Sequence, residues 1–289
     1  MLSYRHAFHA GNHADVLKHS ILSRIILYLV QKEKPFSYIE THAGAGLYHL
    51  DGEWAKKTGE ASSGIIKLLN TPAIPELFNP YLEICRSLFA DEHQYPGSPE
   101  IARALSRNDD QLTLIELHSS EIEILRENFS GDPRIHLHNR DGFSGLTALT
   151  PPNPRRGVAL IDPSYEMAND YKKVVDTLLS VHTRWPAGML VLWYPILGRR
   201  IEEVFQLKKA LTESGIPGIL NAEVLLNEPE SSPETEEGTA GFGLAGSGMI
   251  IIQPPWTLFD ELKIMLPFLS ETLCNDGKGS WKTEWLTKA

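Results

Sequence analysis

The sequence predicts an α/β fold on a mostly parallel sheet, and three observations carry that expectation. Short apolar runs alternate along the chain with stretches of helical spacing. Successive apolar runs lead to an acid, at Glu40, Glu116, Asp141 and Asp162. The first of these acids is followed by a glycine loop, Thr41-His42-Ala43-Gly44-Ala45-Gly46. Open α/β sheets bind ligands beyond the carboxyl ends of their strands, so acids and glycines repeated there describe a site as well as a fold.

Taken in order, the chain opens with Tyr4, Arg5, His6, Phe8, His9 and His13. Asn12 then predicts a helix start, with Asp15 three residues on as a weak capping box. Val16, Leu17, Ile21, Ile25 and Leu29 form that helix's apolar face. Phe36 to Glu40 is the first strand. In an uninterrupted unit the next acidic strand end is due about 20 residues after the glycine loop. Here it comes only at Leu112 to Glu116, so the excess, about residues 47–103, predicts an inserted helical subdomain. Ile65 to Leu69 and Leu77 to Phe89 have helical spacing within it, and Tyr95 to Pro99 is the turn back to the sheet. A helix at Ser120 to Phe129 and strands at Arg134 to His138 and Val158 to Ile161 follow. Next come a helix at Tyr171 to Leu179, a strand at Gly188 to Tyr194, a helix at Arg199 to Ser214 and a strand at Ile219 to Leu226. Residues 228–246, rich in Glu, Pro, Ser and Gly, predict a mobile loop. Gly248 to Ile252 is the seventh core strand, and helix Leu258 to Leu273 follows it. Trp281 to Leu286 offers an edge strand beyond those seven.

The chemistry centres on Val158-Ala159-Leu160-Ile161-Asp162-Pro163-Ser164-Tyr165-Glu166. A buried strand runs straight into a carboxylate, a proline and an aromatic ring. The carboxylate of Asp162 and the carbonyl of Pro163 suit the two N–H hydrogens of an exocyclic amine, and Tyr165 suits the face of its ring. The bland alternative is an Asp-Pro turn that closes a core strand, and short motifs often mislead. Glu-x-His-x-Gly-x-Gly, with His42 at the third position, has the shape of a first S-adenosylmethionine motif. Glu116 suits ribose hydroxyls and Asp141 the adenine amino group of that cofactor. Gly44 and Gly46 let the backbone approach it, and Lys18 and His19 lie near the first turns of the opening helix. Ser98 faces the cofactor or caps the helix that follows it, and the sequence leaves the two even. The four histidines at 6, 9, 13 and 19 match no zinc spacing, so no metal is expected.

Composition narrows the classes. Across 289 residues, 42% hydrophobic and 22% charged side chains are ordinary for a globular protein. The longest apolar run, Ile21 to Val30, is broken by Ser23 and Arg24 and is too short to span a bilayer. The first residues lack the layout of a signal peptide. Cys85 and Cys274 make no metal or redox spacing, so a reduced, cytoplasmic setting is expected. A net charge of -10 argues against a generic nucleic-acid coat protein but not against an enzyme with local basic patches. Basic groups cluster between Arg5 and His19, at Arg155-Arg156 and at Arg199-Arg200.

Several stretches together closely resemble the RlmJ (YhiR) family of bacterial 23S rRNA adenine-N6 methyltransferases. They are the opening residues 1–19, Thr41 to Gly46, Tyr95 to Pro99, Glu116-Leu117-His118, Asp141-Gly142, Asp162 to Glu166, Trp193-Tyr194-Pro195 and Ser247-Gly248-Met249. The resemblance covers nearly the whole chain. It implies a single class I Rossmann-like methyltransferase domain over residues 1–289, with the helical insertion and with residues 1–19 completing the site. It implies cofactor contacts at His19, His42, Ser98, Glu116, Asp141 and Gly142, catalysis at Asp162, and a substrate contact at Tyr4. The residue pattern adds Lys18, Gly44, Gly46 and Asp162 on the cofactor side, Pro163 and Tyr165 at the catalytic turn, and Arg5, His6 and Tyr165 on the substrate side. The expected cofactor is S-adenosylmethionine, and the expected partner is ribosomal RNA met by a monomer. One departure stands out: the family's motif is Asp-Pro-Pro-Tyr, and Ser164 replaces its second proline. A serine loosens a turn that two prolines would hold rigid. Gln253-Pro254-Pro255-Trp256 has two prolines and an aromatic but no carboxylate, and reads as packing at a sheet end. A DNA adenine methyltransferase, a protein serving the use of external DNA, and a non-catalytic nucleic-acid binder keeping the cofactor fold are the alternatives.

Overall fold

A computed structural model describes residues 6–50, 59–167, 169–228, 244–274 and 277–288. One sheet organises the chain, in the order β10-β8-β9-β7-β6-β1-β4-β5. Its strands are β1 (Ser37–Glu40), β4 (Gln111–Ile115), β5 (Ile135–His138), β6 (Gly157–Ile161), β7 (Met189–Ile196), β8 (Ile219–Leu225), β9 (Gly246–Ile252) and β10 (Ser280–Thr287). The strands from β5 to β7 are parallel, and β9 runs antiparallel to both β7 and β8. The sheet therefore has eight strands where seven core strands were expected. The addition is the edge strand foreseen near Trp281, which pairs antiparallel with β8 through Trp281 opposite Val224.

Side-chain alternation places the core on both faces. Tyr38, Leu112, Leu114, Val158 and Leu160 point to one face. Ile39, Ile115, Ala159 and Ile161 point to the other. The first face is covered by α1 (His13–Val30) and α10 (Leu258–Leu273), with short α2 (Glu60–Ser63), α3 (Ile65–Leu69), α4 (Asn79–Glu92) and α5 (Ser98–Leu105). The second carries α7 (Gly142–Leu149), α8 (Asn169–Arg184) and α9 (Ile201–Thr212). Helix α6 (Ser119–Asn128) makes the crossover from β4 to β5, and its Ile122 and Leu125 join the first face.

Residues 47–103 are not purely helical. A two-stranded antiparallel ribbon, β2 (Leu47–His49) with β3 (Gln94–Pro96), closes their base. The loop expected at 228–246 lies mostly outside the described residues, and β9 already begins at Gly246, opposite Leu225. At the far end of β9, Pro255 is buried but Trp256 is 80% exposed, so the expected packing there does not extend to the tryptophan.

Helix α1 supplies the least expected part of the interior. The spacing predicts an amphipathic helix, yet it is buried nearly all round, including Asp15, Lys18, His19, Ser20 and Ser23. Asn12 caps it as expected, accepting from the backbone N–H groups of Ala14 and Asp15. Asp15 reaches back one residue further than a capping box does, accepting from Gly11 N–H at 2.9 Å. Polar side chains buried on such a helix need partners, because an unpaired buried charge is costly.

Candidate active site

In the sheet order, β1 lies between β4 and β6, so the chain reverses its direction of growth there. This switch point opens a crevice at the strand ends. The glycine loop leaves β1 and the Asp162 turn leaves β6, side by side.

The loop after β1 is shaped by two glycines in the left-handed region, Gly44 at φ +59° and Gly46 at φ +76°. A Cβ on Gly46 would lie 2.3 Å from Phe129 Cε2. Gly142 lacks room for another reason, since a Cβ there would meet the Thr41 carbonyl oxygen at 2.3 Å. Glu116, expected to face a ribose, holds this loop in place. Its Oε2 accepts from Gly44 N–H at 2.8 Å, and its Oε1 from His118 N–H at 2.6 Å. Asp141 caps α7, accepting from Ser144 N–H at 2.8 Å, and is exposed. His42 shares a 2.7 Å contact with Thr41 Oγ1 and packs edge-on against Phe143, and burial pushes its pKa down.

Glu40 is wholly buried. Ser98 Oγ and Tyr38 OH both donate to it, the latter at 2.7 Å. Burial pushes its pKa up to about 8, so it is protonated at neutral pH. Ser98 thus does not cap α5, whose N-cap is Gly97; its hydroxyl turns to the end of β1.

The turn after β6 carries a feature that the sequence did not disclose. Lys18, expected as a cofactor contact, places Nζ 2.5 Å from Asp162 Oδ2 and 2.9 Å from Asp15 Oδ1. Burial works against the ammonium, but the two carboxylates hold its pKa well above the usual lysine range. Asp15, 1% exposed, also meets His6 Nε2 at 2.9 Å. Burial would raise the Asp15 pKa, and His6 and Lys18 hold it well below the carboxylate range. The signal in the sequence was Asp15 and Lys18 at i, i+3 on one helix. That spacing is common on solvated faces, so it did not stand out.

His19 is fully buried. Its Nδ1 lies 2.7 Å from Tyr95 OH, which lies 2.9 Å from Tyr81 OH. Burial drives its pKa down to about 3, so the ring is neutral. Among the described residues its Nε2 has no hydrogen-bond partner, and neither does the buried Trp193 Nε1, whose ring lies 5.9 Å from Lys18 Nζ.

Tyr165 departs from expectation. It was expected to stack on a substrate ring, yet it is 5% exposed and its hydroxyl donates to the Trp193 carbonyl at 2.9 Å. Its ring packs against Tyr171 at 4.5 Å, and its backbone is left-handed at φ +52°. The core has claimed the ring, which locks the turn that presents Asp162. Pro163 is buried and Ser164 partly buried in that turn. His6 packs edge-on to Tyr48 at 5.1 Å, while Tyr4 and Arg5 lie outside the described residues. Among the described residues, no group of three or more metal-binding side chains is gathered, and no helix is long and apolar enough to cross a membrane.

The donor set fits a cationic, ribose-bearing cofactor. The glycine loop, with Glu116 on its amides, and the Lys18–Asp162 pair lie together at the strand ends. Comparison with known proteins agrees. Residues 33–287 match the family described as Ribosomal RNA large subunit methyltransferase D, RlmJ. Two relatives, each named Ribosomal RNA large subunit methyltransferase J, are 41% identical to this chain. The protein from Haemophilus influenzae aligns over 290 residues and the one from Escherichia coli over 288, with 99% of each chain covered. The crystal structure of protein LPL1258 from Legionella pneumophila superposes with a TM-score of 0.84 at 32% identity, covering 96% of this chain and 98% of that one. The chain belongs to the RlmJ family of methyltransferases.

Proposed function

We propose that the protein transfers a methyl group from S-adenosylmethionine to N6 of an adenine in 23S ribosomal RNA, acting in the cytoplasm. The observation that carries this reading is Asp162, held by Lys18 at the end of β6 beside the glycine loop of β1. The relatives' names supply the ribosomal RNA.

S-adenosylmethionine supplies an electrophilic methyl group on a sulfonium. The cradle for it is the glycine loop with Gly44 and Gly46, backed by Glu116 and bordered by His42, Ser98 and Asp141-Gly142. Lys18 engages Oδ2 of Asp162 and so leaves Oδ1 to accept a hydrogen bond from the adenine amine. The N6 lone pair is delocalised into the purine ring and is a poor nucleophile. Hydrogen bonds from N6 to Asp162 and to the Pro163 carbonyl favour a more tetrahedral nitrogen and stabilise the positive charge arriving on it. Fixing the amine on a buried ion pair also supplies alignment. Asp162 need not take a proton before transfer. The target base must leave its stack to reach this depth. Tyr165 buttresses the turn, and Tyr4, Arg5 and His6 contact the RNA.

The test is methyl transfer measured side by side on protein-free ribosomal RNA, assembled large subunits and double-stranded DNA. Incorporation into RNA at adenine N6 is the expected result. Preferential labelling of DNA would replace the substrate, and no labelling of any would leave a non-catalytic binder.

A further inference from the structure

We propose that Asp15 sets the charge of the reacting centre: with Lys18 and Asp162 it forms a buried triad of two carboxylates on one ammonium, and the surplus negative charge selects the sulfonium cofactor over its neutral thioether product. The inference rests on the reading in which Asp162 receives the adenine amine.

The geometry supports it at each link. Lys18 Nζ is shared between Asp15 Oδ1 at 2.9 Å and Asp162 Oδ2 at 2.5 Å, and its side chain is only 5% exposed. Asp15 is anchored independently of Lys18 by Gly11 N–H at 2.9 Å, so it does not follow the lysine if the pair loosens. His6 Nε2 meets its second oxygen at 2.9 Å.

Two groups beside the triad are kept from changing its charge. His19 Nε2 stands 3.8 Å from Asp15 Oδ1 and would neutralise it if protonated. Tyr95 and Tyr81, contributed by the inserted stretch, hold that imidazole buried from its other side, and its pKa lies near 3. Glu40 stays protonated and adds no second charge. One ammonium between two carboxylates whose side chains are 2% and 13% exposed leaves a field that solvent screens weakly. That field favours a cation at the methyl donor and the positive charge developing on N6, and it favours release of the product, whose sulfur is neutral. Asp15 touches neither ligand and acts as a positioning residue, through Lys18 and through space.

The experiment is calorimetric titration of the full chain at pH 7, where Glu40 is protonated, with S-adenosylmethionine and with S-adenosylhomocysteine, for the parent, Asp15→Asn and Lys18→Met. Asp15→Asn should lose about tenfold more affinity for the sulfonium than for the thioether, the order expected for removing one unit charge at an effective dielectric of about 20. Lys18→Met should not follow Asp15→Asn: with the cation gone, the carboxylate pair keeps at least one negative charge, so the ratio holds or rises. A merely structural role would weaken both ligands alike, and an unchanged ratio in Asp15→Asn would overturn the inference. If Asp15→Asn fails to fold, Asp15→Ser carries the same expected loss and the same refuting result. A parent that binds neither ligand would refute the site itself, a result distinct from an unchanged ratio.

Discussion

Replacing Glu116 with alanine separates two roles that one carboxylate plays. In the structure it accepts from Gly44 N–H at 2.8 Å and from His118 N–H at 2.6 Å, and it is 9% exposed. A hydrogen bond to an ionised group contributes about 1.5–3 kcal/mol, and a buried N–H left dry costs about 1–3 kcal/mol. Both amides are only partly buried, so water entering the space left by the side chain restores part of the loss. The expected destabilisation of the ligand-free protein is therefore about 2–4 kcal/mol. A second effect follows if Glu116 also receives ribose hydroxyls: the cofactor should bind about 1–3 kcal/mol more weakly, beyond any disorder of the loop. Urea unfolding with and without saturating S-adenosylhomocysteine, alongside calorimetry, reads the two effects apart, because a ligand adds stability only through its occupancy of the folded state. Unchanged stability without ligand would show that the carboxylate does not hold the glycine loop. Unchanged affinity in a destabilised variant would remove the ribose role.

Two further perturbations address the same crevice. Gly46→Ala places a Cβ 2.3 Å from Phe129 Cε2 at a left-handed φ, whereas Gly59→Ala, at φ +64° with nothing within 4 Å, carries only the backbone cost. The first should lower the melting temperature well beyond the roughly 1 kcal/mol expected of the second, and equal shifts would mean that Phe129 yields freely. Glu40→Gln addresses the carboxyl raised to about 8. A pKa raised in the folded state stabilises below the unfolded value, and this contribution is lost as pH climbs from about 4.5 through about 8. The amide stays neutral throughout, and the Ser98 or Tyr38 hydroxyl can turn to accept from it. The variant should therefore gain on the parent across that window, and parallel stability–pH curves would mean that Glu40 is ionised in the fold.

Much of the site was legible in the sequence because strand-end chemistry is written locally. Glu40 with its glycine loop, Glu116, Asp141-Gly142 and Asp162-Pro163 each follow an apolar run, and the sheet brings them to one edge in the expected order. The edge strand was legible as a run but not as a ladder, since its pairing with β8 depends on residues more than fifty positions away. The interior of α1 was opaque for a different reason. Its apolar face was visible, but Asp15, Lys18 and His19 look like the polar face of a surface helix until α5, α10 and the strand ends close around them. The partners that make those charges tolerable lie in distant segments, Asp162 for Lys18 and Tyr95 for His19. Tyr165 failed the other way. A ring two residues after the Asp-Pro turn suggested a stacking platform, but its left-handed backbone carries it back into the core beneath Trp193 and Tyr171.

Single-turnover methylation of ribosomal RNA by Asp162→Ala tests the central claim most directly. The fold should survive, because Asp15 still neutralises Lys18 when Asp162 is gone. Binding of S-adenosylhomocysteine, measured on the same preparation, should remain. The rate should fall by at least roughly 10²–10³, the order that a preorganised contact contributes, because alanine accepts no hydrogen bond from N6 and leaves it planar. Asp162→Asn should retain more activity, since its amide oxygen still accepts. A folded, ligand-binding Asp162→Ala protein that methylates at the parental rate would contradict the mechanism and reduce Asp162-Pro163 to a turn closing a core strand.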